Sequence, residues 1–326
     1  MQNSFWQQTK VLVTGGAGFI GSHVVEKLLE RGAVVTVLDN MSNGSVKNLA
    51  AVQNQVRVVE GDIRDLETGR KAARGQDVVM NVAAKVGGIE FNRTHQGTML
   101  YHNLMIPAQM VEAARLENVQ KFLMVSTACV YSRNVSIPTP ESEGFMDEPE
   151  PTNGGYGWGK RVAELLARYY VEEFGMEIGI VRPYNCYGPR DHVDPNTSHV
   201  IPALIKRVFD GENPVRVWGS GKQTRAFLYV EDMAEGMILA AEKYRVPDAI
   251  NLGTDEEISI TNLLNRIITI SGITPKVEFD TTKPDGSPRR NSDNTKAKEK
   301  IGFTAKVPLD EGLQKTIEWY RHEYQR

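Results

Sequence analysis

The chain has 326 residues, of which 40% are hydrophobic and 24% are charged, and its formal net charge is −3. This length accommodates two domains or one large domain, and the composition is typical of a soluble globular protein. The small net charge excludes a broad attraction to nucleic acid or to an anionic membrane, so neither is predicted as a partner.

The cysteine count and the N-terminus bear on the cellular compartment. Only Cys129 and Cys186 are present, which argues against a disulfide framework and favours a reducing cytoplasm. Residues 1–10 hold no apolar signal core, and no run approaches the roughly 18 apolar residues of a membrane span. We therefore expect a cytoplasmic location, and we predict no metal site.

The first predicted elements form a strand–helix–strand unit. Residues 10–14 are a β-branched run that ends in a glycine-rich turn, and an amphipathic helix follows and stops at Gly32. Residues 34–38 predict a buried parallel strand that closes on Asp39. This order predicts a βαβ unit with the glycine turn between its first strand and its helix.

The alternation continues to residue 181. Further strands are predicted at 56–60, 77–82, 121–125 and 178–181, and helices at 103–117 and 156–174. Strands that alternate with helices indicate an α/β fold with a doubly wound parallel sheet of the Rossmann type.

The character changes after Arg182. Residues 183–197 predict a loop, 200–210 a helix, and the chain beyond 250 several short elements. Residues 227–230 and the helix after Asp232 are expected to return to the main sheet. The resulting domain prediction is a dinucleotide-binding domain of 1–181 plus about 215–250, and a smaller α/β substrate-binding lobe of about 182–214 plus 251–326.

The glycine turn and Asp39 predict a dinucleotide site. Gly15 permits the tight turn, Gly18 lets the backbone approach a pyrophosphate, and Gly21 allows close packing of helix and strand. The helix N-terminus offers free N–H groups to the phosphates. Asp39 can accept hydrogen bonds from ribose hydroxyls and would repel a 2′-phosphate, so the predicted cofactor is NAD. Asp62, which ends the next strand, is a candidate for contact with adenine.

Four residues form a candidate catalytic set: Thr127, Cys129, Tyr156 and Lys160. The Tyr and the Lys lie one helical turn apart, so the ammonium can stabilise the phenolate and lower the pKa of the Tyr. Such a base can take a proton from a sugar hydroxyl while a hydride leaves the same carbon. The nearby thiol suggests additional proton chemistry at a neighbouring carbon.

These motifs resemble the extended branch of the short-chain dehydrogenase/reductase superfamily, whose members modify sugar nucleotides. The resemblance covers the whole chain and rests on the 14–21 turn, the Tyr156/Lys160 pair and the segment 182–189. It implies that Tyr156 is the acid/base, that Lys160 also holds the nicotinamide ribose, and that Thr127 positions the reacting oxygen. The resemblance adds these cofactor-binding residues: Phe19, Ile20, Asn40, Ile63, Ala83, Ala84, Lys85 and Tyr184.

Other segments resemble narrower groups. Residues 83–89, 196–204 and 283–289 are similar to GDP-fucose synthases, and 290–294 is closer to GDP-mannose 3,5-epimerases. In both groups a Cys that matches Cys129 is an acid or base of the epimerisation, and the resemblance implies that role here. The synthases pair it with a His that matches His199, whereas the epimerases place a Lys there. Inversion next to a C4 ketone needs one group on each face of the sugar, and a thiol and an imidazole both titrate near neutrality.

Two departures qualify this resemblance. Asn81 stands where many relatives carry a His, and the synthases generally use NADPH whereas Asp39 favours NAD. The predicted function is therefore an NAD-dependent epimerase of a nucleotide-diphosphate sugar, with GDP as the expected nucleotide. It would act at C3 and/or C5 through a transient 4-keto intermediate.

The substrate-binding residues are predicted from the same resemblance and from the suitability of Arg for phosphate. The set is Gly88, Asn185, Val200, Arg207, Trp218, Arg225, Arg289 and Arg290. For Arg289 and Arg290, a charged loop exposed to solvent is the alternative explanation.

Several alternatives stay open at this point. One is a GDP-4-keto-6-deoxy-sugar epimerase/reductase of the GDP-fucose synthase type, and another is a C4 epimerase, which needs no second base. A 4,6-dehydratase is disfavoured, because Ala128-Cys129 stands where those relatives carry Asp-Glu. A non-catalytic NAD-binding protein is disfavoured by the intact Tyr156 and Lys160. The resemblance also implies a homodimer.

Overall fold

The computed structural model describes residues 5–194, 198–282 and 287–325. Its strands are β1 (Lys10–Thr14), β2 (Val34–Asp39), β3 (Arg57–Glu60), β4 (Val78–Asn81), β5 (Lys121–Val125), β6 (Glu177–Pro183), β7 (Cys186–Tyr187), β8 (Val215–Trp218), β9 (Thr224–Ala226), β10 (Leu228–Tyr229), β11 (Ala249–Leu252), β12 (Glu257–Ser259), β13 (Val277–Asp280) and β14 (Arg289–Arg290). Its α-helices are α1 (Phe19–Glu30), α2 (Leu66–Ala73), α3 (Ile89–Thr94), α4 (Gln96–Leu116), α5 (Gly154–Phe174), α6 (Val200–Phe209), α7 (Val230–Lys243), α8 (Ile260–Ser271), α9 (Thr295–Ile301) and α10 (Leu309–Tyr324).

A seven-stranded sheet organises the N-terminal part of the fold. Its strand order is β11-β6-β5-β4-β1-β2-β3, and every neighbouring pair is parallel. The carboxyl ends of all seven strands therefore meet at one edge, where ligands bind in open α/β sheets. The predicted α/β class with a doubly wound parallel sheet is confirmed.

Helices cover both faces of this sheet. Apolar side chains of α1, α7 and α9 form one buried cluster on one face, and those of α2, α4 and α5 form a second cluster. The central strands are buried along most of their length, which explains their continuous β-branched and aliphatic sequences. The candidate site residues at the strand ends are thus held by a rigid core.

Three small sheets and a third buried cluster make up the remaining part. Residues 227–230 were expected to return to the main sheet, and this was wrong. β10 pairs with β7, and the strand that joins the main sheet beside β6 is β11. Outside the main sheet, β8 pairs with β13, and β9 pairs with both β12 and β14. We therefore propose that the smaller lobe includes β8 and β9, and that α7 and β11 complete the dinucleotide-binding domain.

The predicted element boundaries hold to within a few residues except in two places. The helix predicted at 103–117 begins earlier, at Gln96, and the loop predicted at 183–197 contains β7. Residues 195–197 and 283–286 of the segments quoted above lie outside the described residues. Across the described ranges, the helices are too short or too polar to cross a membrane.

Candidate active site

The glycine turn joins β1 to α1 at the ligand-binding edge of the sheet. Gly15 has a φ of +67°, and a Cβ there would lie 2.9 Å from the Cα of Ala83. A Cβ on Gly21 would overlap the carbonyl oxygen of Gly15, so the helix packs directly on the turn. The first turn of α1 carries no acidic residue and no side-chain cap. Its N–H groups are therefore suited to a pyrophosphate, and the residues present fit a dinucleotide.

Asp39 lies beside the glycine turn, where the ribose of a dinucleotide is expected. Its carboxylate accepts hydrogen bonds from the N–H of Ala17 at 3.0 Å and of Met41 at 2.9 Å. The neighbouring Asn40 is exposed and accepts from the N–H of Ser42. Two backbone donors thus hold a buried carboxylate at the end of β2, in the position that the NAD prediction requires.

Asp62 follows β3 at the same edge. Arg64 binds its carboxylate through Nε and Nη2, and this pairing holds the pKa of Asp62 at about 2. Arg64 also contacts Nδ1 of His102 at 2.9 Å, while the side chain of Ile63 is buried in the core. Sequence reasoning missed Arg64 and His102, whose proximity depends on the packing of α4.

A buried asparagine fixes the loop that follows β4. The amide of Asn103 accepts from the N–H of Lys85 at 3.2 Å and donates to its carbonyl at 2.9 Å. The N–H of Ala83 donates to Thr14 Oγ1. Backbone groups of 83–85 are thereby held beside the glycine turn. Asn103 was missed as a site residue, and its one signal was an amide on the apolar side of α4.

The predicted catalytic residues meet where β5 ends against α5. Thr127 hydrogen-bonds the Tyr156 hydroxyl and accepts from the N–H of Cys129 at 3.2 Å. Lys160 donates from Nζ to the carbonyl of Val125 at 2.7 Å, and its Nζ lies 6.0 Å from the centre of the Tyr156 ring. The sequence prediction that these side chains share one site therefore agrees with the geometry.

The electrostatic part of that prediction needs a correction. Burial raises the pKa of Tyr156, the Cys129 sulfur raises it further, and the Thr127 hydrogen bond offsets only part of the rise. Burial also lowers the pKa of Lys160 to about 8, against the opposing effect of Glu164. The expected lowering of the Tyr156 pKa by Lys160 is wrong for this geometry. Burial of the hydroxyl is the largest influence on its pKa, and the Lys160 ammonium is bound to the carbonyl of Val125.

Cys129 lies beside a pair of arginines. Arg290 approaches its sulfur with Nη2 at 3.6 Å, and Arg290 is opposite Arg225 in the register of β14 and β9. Burial lowers the pKa of Arg225 to about 10, and the positive charge of Arg290 contributes to this shift. Among the described residues, neither arginine forms a direct salt bridge with an acid. Arg225 also donates from Nη1 to the carbonyls of Thr224 and Ser287. Two half-buried guanidinium groups are therefore available to a diphosphate.

The other predicted substrate residues differ in their surroundings. Arg289 binds Glu257 through two hydrogen bonds of 2.9 and 2.7 Å, so its charge is already paired. Arg207 contacts Glu212 and the carbonyl of Arg216. The Asn185 amide donates to the carbonyl of Ala226 at 2.9 Å. Arg289 and Arg207 are thus paired with acids, unlike Arg225 and Arg290.

The remaining predicted residues have these positions. Gly88 is buried and precedes α3, Val200 begins α6, and Trp218 ends β8 with 52% of its surface exposed. Tyr184 is buried, with its ring 6.0 Å from that of Tyr131, and burial raises the pKa of its hydroxyl. The Tyr184 side chain is therefore part of the support beneath the site.

His199 immediately precedes α6 and is paired with an acid. Its Nδ1 lies 3.5 Å from Oδ1 of Asp191. Asp191 raises the pKa of His199, while the removal of part of the ring from water acts in the opposite direction. Within the described residues, no hydrogen bond or ion pair joins His199 to Cys129. Asp191 is a further residue that sequence reasoning missed.

Comparisons with known proteins extend over both parts of the fold. The sequence profile of the NAD dependent epimerase/dehydratase family matches residues 11–253. GDP-L-fucose synthase of Escherichia coli (strain K12) is 33% identical, over 97% of this chain and 98% of its own. GDP-mannose 3,5-epimerase of Arabidopsis thaliana is 30% identical, over 100% of this chain and 86% of its own. The crystal structure of UDP-glucose 4-epimerase with UDP-glucose from Thermotoga maritima superposes with a TM-score of 0.86 at 32% identity, covering 96% of this chain and 99% of that one.

Proposed function

This chain belongs to the NAD-dependent epimerase/dehydratase family, and we propose that it inverts C3 and/or C5 of a nucleotide-diphosphate sugar, with GDP as the nucleotide. The family resemblance predicted from the motifs is confirmed, and the chain is an NAD-dependent enzyme of that family. The position of inversion, the nucleotide and the 4-keto intermediate are our proposals.

The observation that carries the proposal is the position of Cys129. Its N–H is bound to Thr127, its sulfur affects the pKa of Tyr156, and Arg290 lies 3.6 Å from the sulfur. A thiol is therefore held within the same site as the residues suited to oxidation at C4. Once C4 is a ketone, the protons on C3 and C5 become acidic, and Cys129 is placed to remove or return one of them.

The remaining residues have complementary roles in this proposal. Tyr156, in its ionised form, accepts the proton of the C4 hydroxyl, and Thr127 holds that oxygen by a second hydrogen bond. Bound NAD supplies the hydride acceptor and later the hydride donor at C4. Lys160 orients the ribose next to the nicotinamide. Arg225 and Arg290 bind the diphosphate, whose position sets the sugar over Tyr156.

Asp39 favours an epimerase over a net reductase. A carboxylate at the end of β2 disfavours the 2′-phosphate of NADP, and an epimerase returns its hydride to the same sugar within one cycle. The proposed cycle therefore needs tightly held NAD and no external reductant. The synthase-type epimerase/reductase is the second candidate, because the Cys129 and His199 pair fits that reaction equally well.

Two incubations, one with each candidate substrate, separate the candidates. The protein is mixed with GDP-mannose in deuterated water, and the sugar is analysed by NMR while absorbance at 340 nm is followed. Deuterium at C3 or C5 without net NADH formation supports the proposal. Inversion at C4 alone, without solvent deuterium, would overturn it in favour of a C4 epimerase. Reduction of a GDP-4-keto-6-deoxy sugar with stoichiometric loss of NADPH would establish the second candidate.

We also propose a homodimer formed through α4 and α5. These two packed helices expose large apolar side chains, among them Tyr101, Trp158, Val162 and Tyr169. Exposed apolar patches of this kind commonly mark interfaces between proteins. Sedimentation velocity should show a dimer that Val162→Glu dissociates. Cytoplasm is the proposed location, since a catalytic Cys129 needs a reducing compartment.

A further inference from the structure

His199 and Asp191 form a pair in which a buried carboxylate faces an exposed imidazole. The Asp191 carboxylate is only 3% exposed, whereas 57% of the His199 side chain is exposed. Asp191 Oδ1 lies 3.5 Å from Nδ1 of His199 and also accepts from the N–H of His192 at 2.7 Å. Its Oδ2 is buried and accepts no hydrogen bond from the residues that the structure describes. A buried carboxylate is costly unless a cation or donors compensate it.

The loop that carries Asp191 is fixed to the dinucleotide-binding helix. Arg190, with a φ of +72°, donates from Nη2 to Glu26 at 2.6 Å and from Nη1 to Ser22 at 3.1 Å. His23, also on α1, contacts the carbonyl of Pro189 at 3.1 Å. The carboxylate is therefore held by the same helix whose N-terminus faces the expected pyrophosphate, and it provides a fixed point for His199.

We propose that Asp191 is a positioning residue that holds His199 by Nδ1 and leaves Nε2 to exchange a proton with the sugar carbon. This inference rests on the proposed function. In this arrangement Nδ1–H donates to Asp191, which fixes one tautomer of the imidazole. The Nε2–H bond breaks as a C–H bond forms at C3 or C5 of the enolate, and the neutral imidazole keeps its Nδ1 proton. Solvent then restores the Nε2 proton through the exposed side of the ring.

The electrostatics agree with this geometry. Asp191 is the charged group that faces His199, and it raises the pKa of the imidazole above its usual value. The Cys186 thiol on β7 faces Asp191, and burial followed by the Asp191 charge raises its pKa well above the usual value. Cys186 therefore stays neutral at physiological pH, and the imidazolium is the partner left for the carboxylate.

The test uses Asp191→Asn, which keeps the shape and removes the charge. NMR titration should show a His199 pKa above 6.5 in the unmodified protein and a lower one in the variant. Deuterium incorporation at pH 8 should fall by about 10-fold, because a smaller fraction of His199 is the proton-donating imidazolium at that pH, while KM stays unchanged. The matched control is Asp210→Asn, an acid at the opposite end of α6 that pairs with Lys206. It should leave both readouts unchanged.

The outcomes separate the two proposals. A His199 pKa that is equal in the unmodified protein and in Asp191→Asn would overturn this inference, even if deuterium exchange is normal. Absence of solvent deuterium in the unmodified protein would instead overturn the proposed function and, with it, proton transfer by His199. The titration of the unmodified protein decides the pairing even if the variant folds poorly.

Discussion

Glu164 binds Arg182 through both carboxylate oxygens, at 2.9 and 2.7 Å, close to the candidate catalytic residues. The two side chains are 1% and 3% exposed, so this is a fully buried salt bridge. Glu164 also accepts a hydrogen bond of 2.5 Å from Ser126, the residue between Val125, which holds Lys160, and Thr127. The ion pair thus supports the strand end on which the catalytic geometry depends.

Glu164→Gln should therefore destabilise the protein strongly. Removing one charge of a buried pair leaves Arg182 uncompensated, and we expect a loss of roughly 3 kcal/mol in the free energy of unfolding. Urea denaturation measures the change. The control Glu90→Gln removes an exposed pair with Arg93 and should cost less than about 1 kcal/mol. Similar losses in both variants would contradict the role given to Glu164.

Cys129→Ser should uncouple epimerisation from oxidation. We expect solvent deuterium incorporation to fall by about 10² or more, because the hydroxyl is a far weaker acid and base than the thiol. Hydride transfer at C4 should persist, measured as transient NADH absorbance. Cys186→Ala is the matched cysteine control and should keep full incorporation. Unchanged incorporation in Cys129→Ser would sink the proposed epimerase mechanism.

Tyr156→Phe should abolish most turnover without changing the fold. Loss of a general acid–base group lowers kcat by about 10²- to 10⁴-fold. Affinity for NAD, measured by calorimetry, should stay within a few-fold of the unmodified protein. Tyr324→Phe changes an exposed tyrosine of α10 and serves as the control. Retained turnover in Tyr156→Phe would remove this residue from the mechanism.

Asp39→Asn should weaken NAD binding and reduce discrimination against NADP. A hydrogen bond to a charged group contributes about 1.5–3 kcal/mol, so we expect the Kd for NAD to rise by at least about 10-fold. The NADP affinity should fall less or improve, since the repulsion of the 2′-phosphate is removed. Fluorescence titrations with both dinucleotides measure this. Equal affinity for the two in the unmodified protein would contradict the assignment of Asp39.

His23 should make the protein sensitive to mild acid. Its pKa is lowered from 6.5 to about 4, first by burial and then by Arg190 and Lys27. Because the folded-state pKa is depressed, its contribution is complete above pH 6.5 and is lost as the pH falls towards 4. The unfolding free energy should drop by about 2 kcal/mol between pH 7.5 and pH 5 through this group alone. His23→Gln keeps an amide that can donate to Pro189 but does not titrate. Its unfolding free energy should therefore fall by about 2 kcal/mol less over the same pH range.

The main sheet could be predicted because its signals are local. The β-branched runs of β1 and β2, the turn between β1 and α1, and the helical spacing of α1 and α5 each lie within one stretch of sequence. The small lobe could not be predicted in the same way. Strands such as β7, β10 and β14 have two residues each and are defined by partners distant in the chain. Their register depends on tertiary packing.

In the candidate site, too, the contacts within one stretch of sequence could be predicted and the long-range contacts could not. Tyr156 and Lys160 could be paired from their spacing on one helix, whereas the contact of Arg290 with Cys129 joins residues 161 positions apart. Asn103 and Asp191 carry no motif, and only their burial and partners identify them. The direction of the Tyr156 pKa was mispredicted because sequence spacing says nothing of desolvation.

The side-by-side placement of Arg225 and Arg290 has a consequence for the protein in the cell. Two half-buried like charges oppose folding of the small β9–β14 sheet, and an anion bound between them reduces that opposition. Ligand at about 100 times its Kd adds about 3 kcal/mol to stability by mass action. Under the proposed function, resistance to unfolding and proteolysis should therefore rise with the concentration of sugar nucleotide.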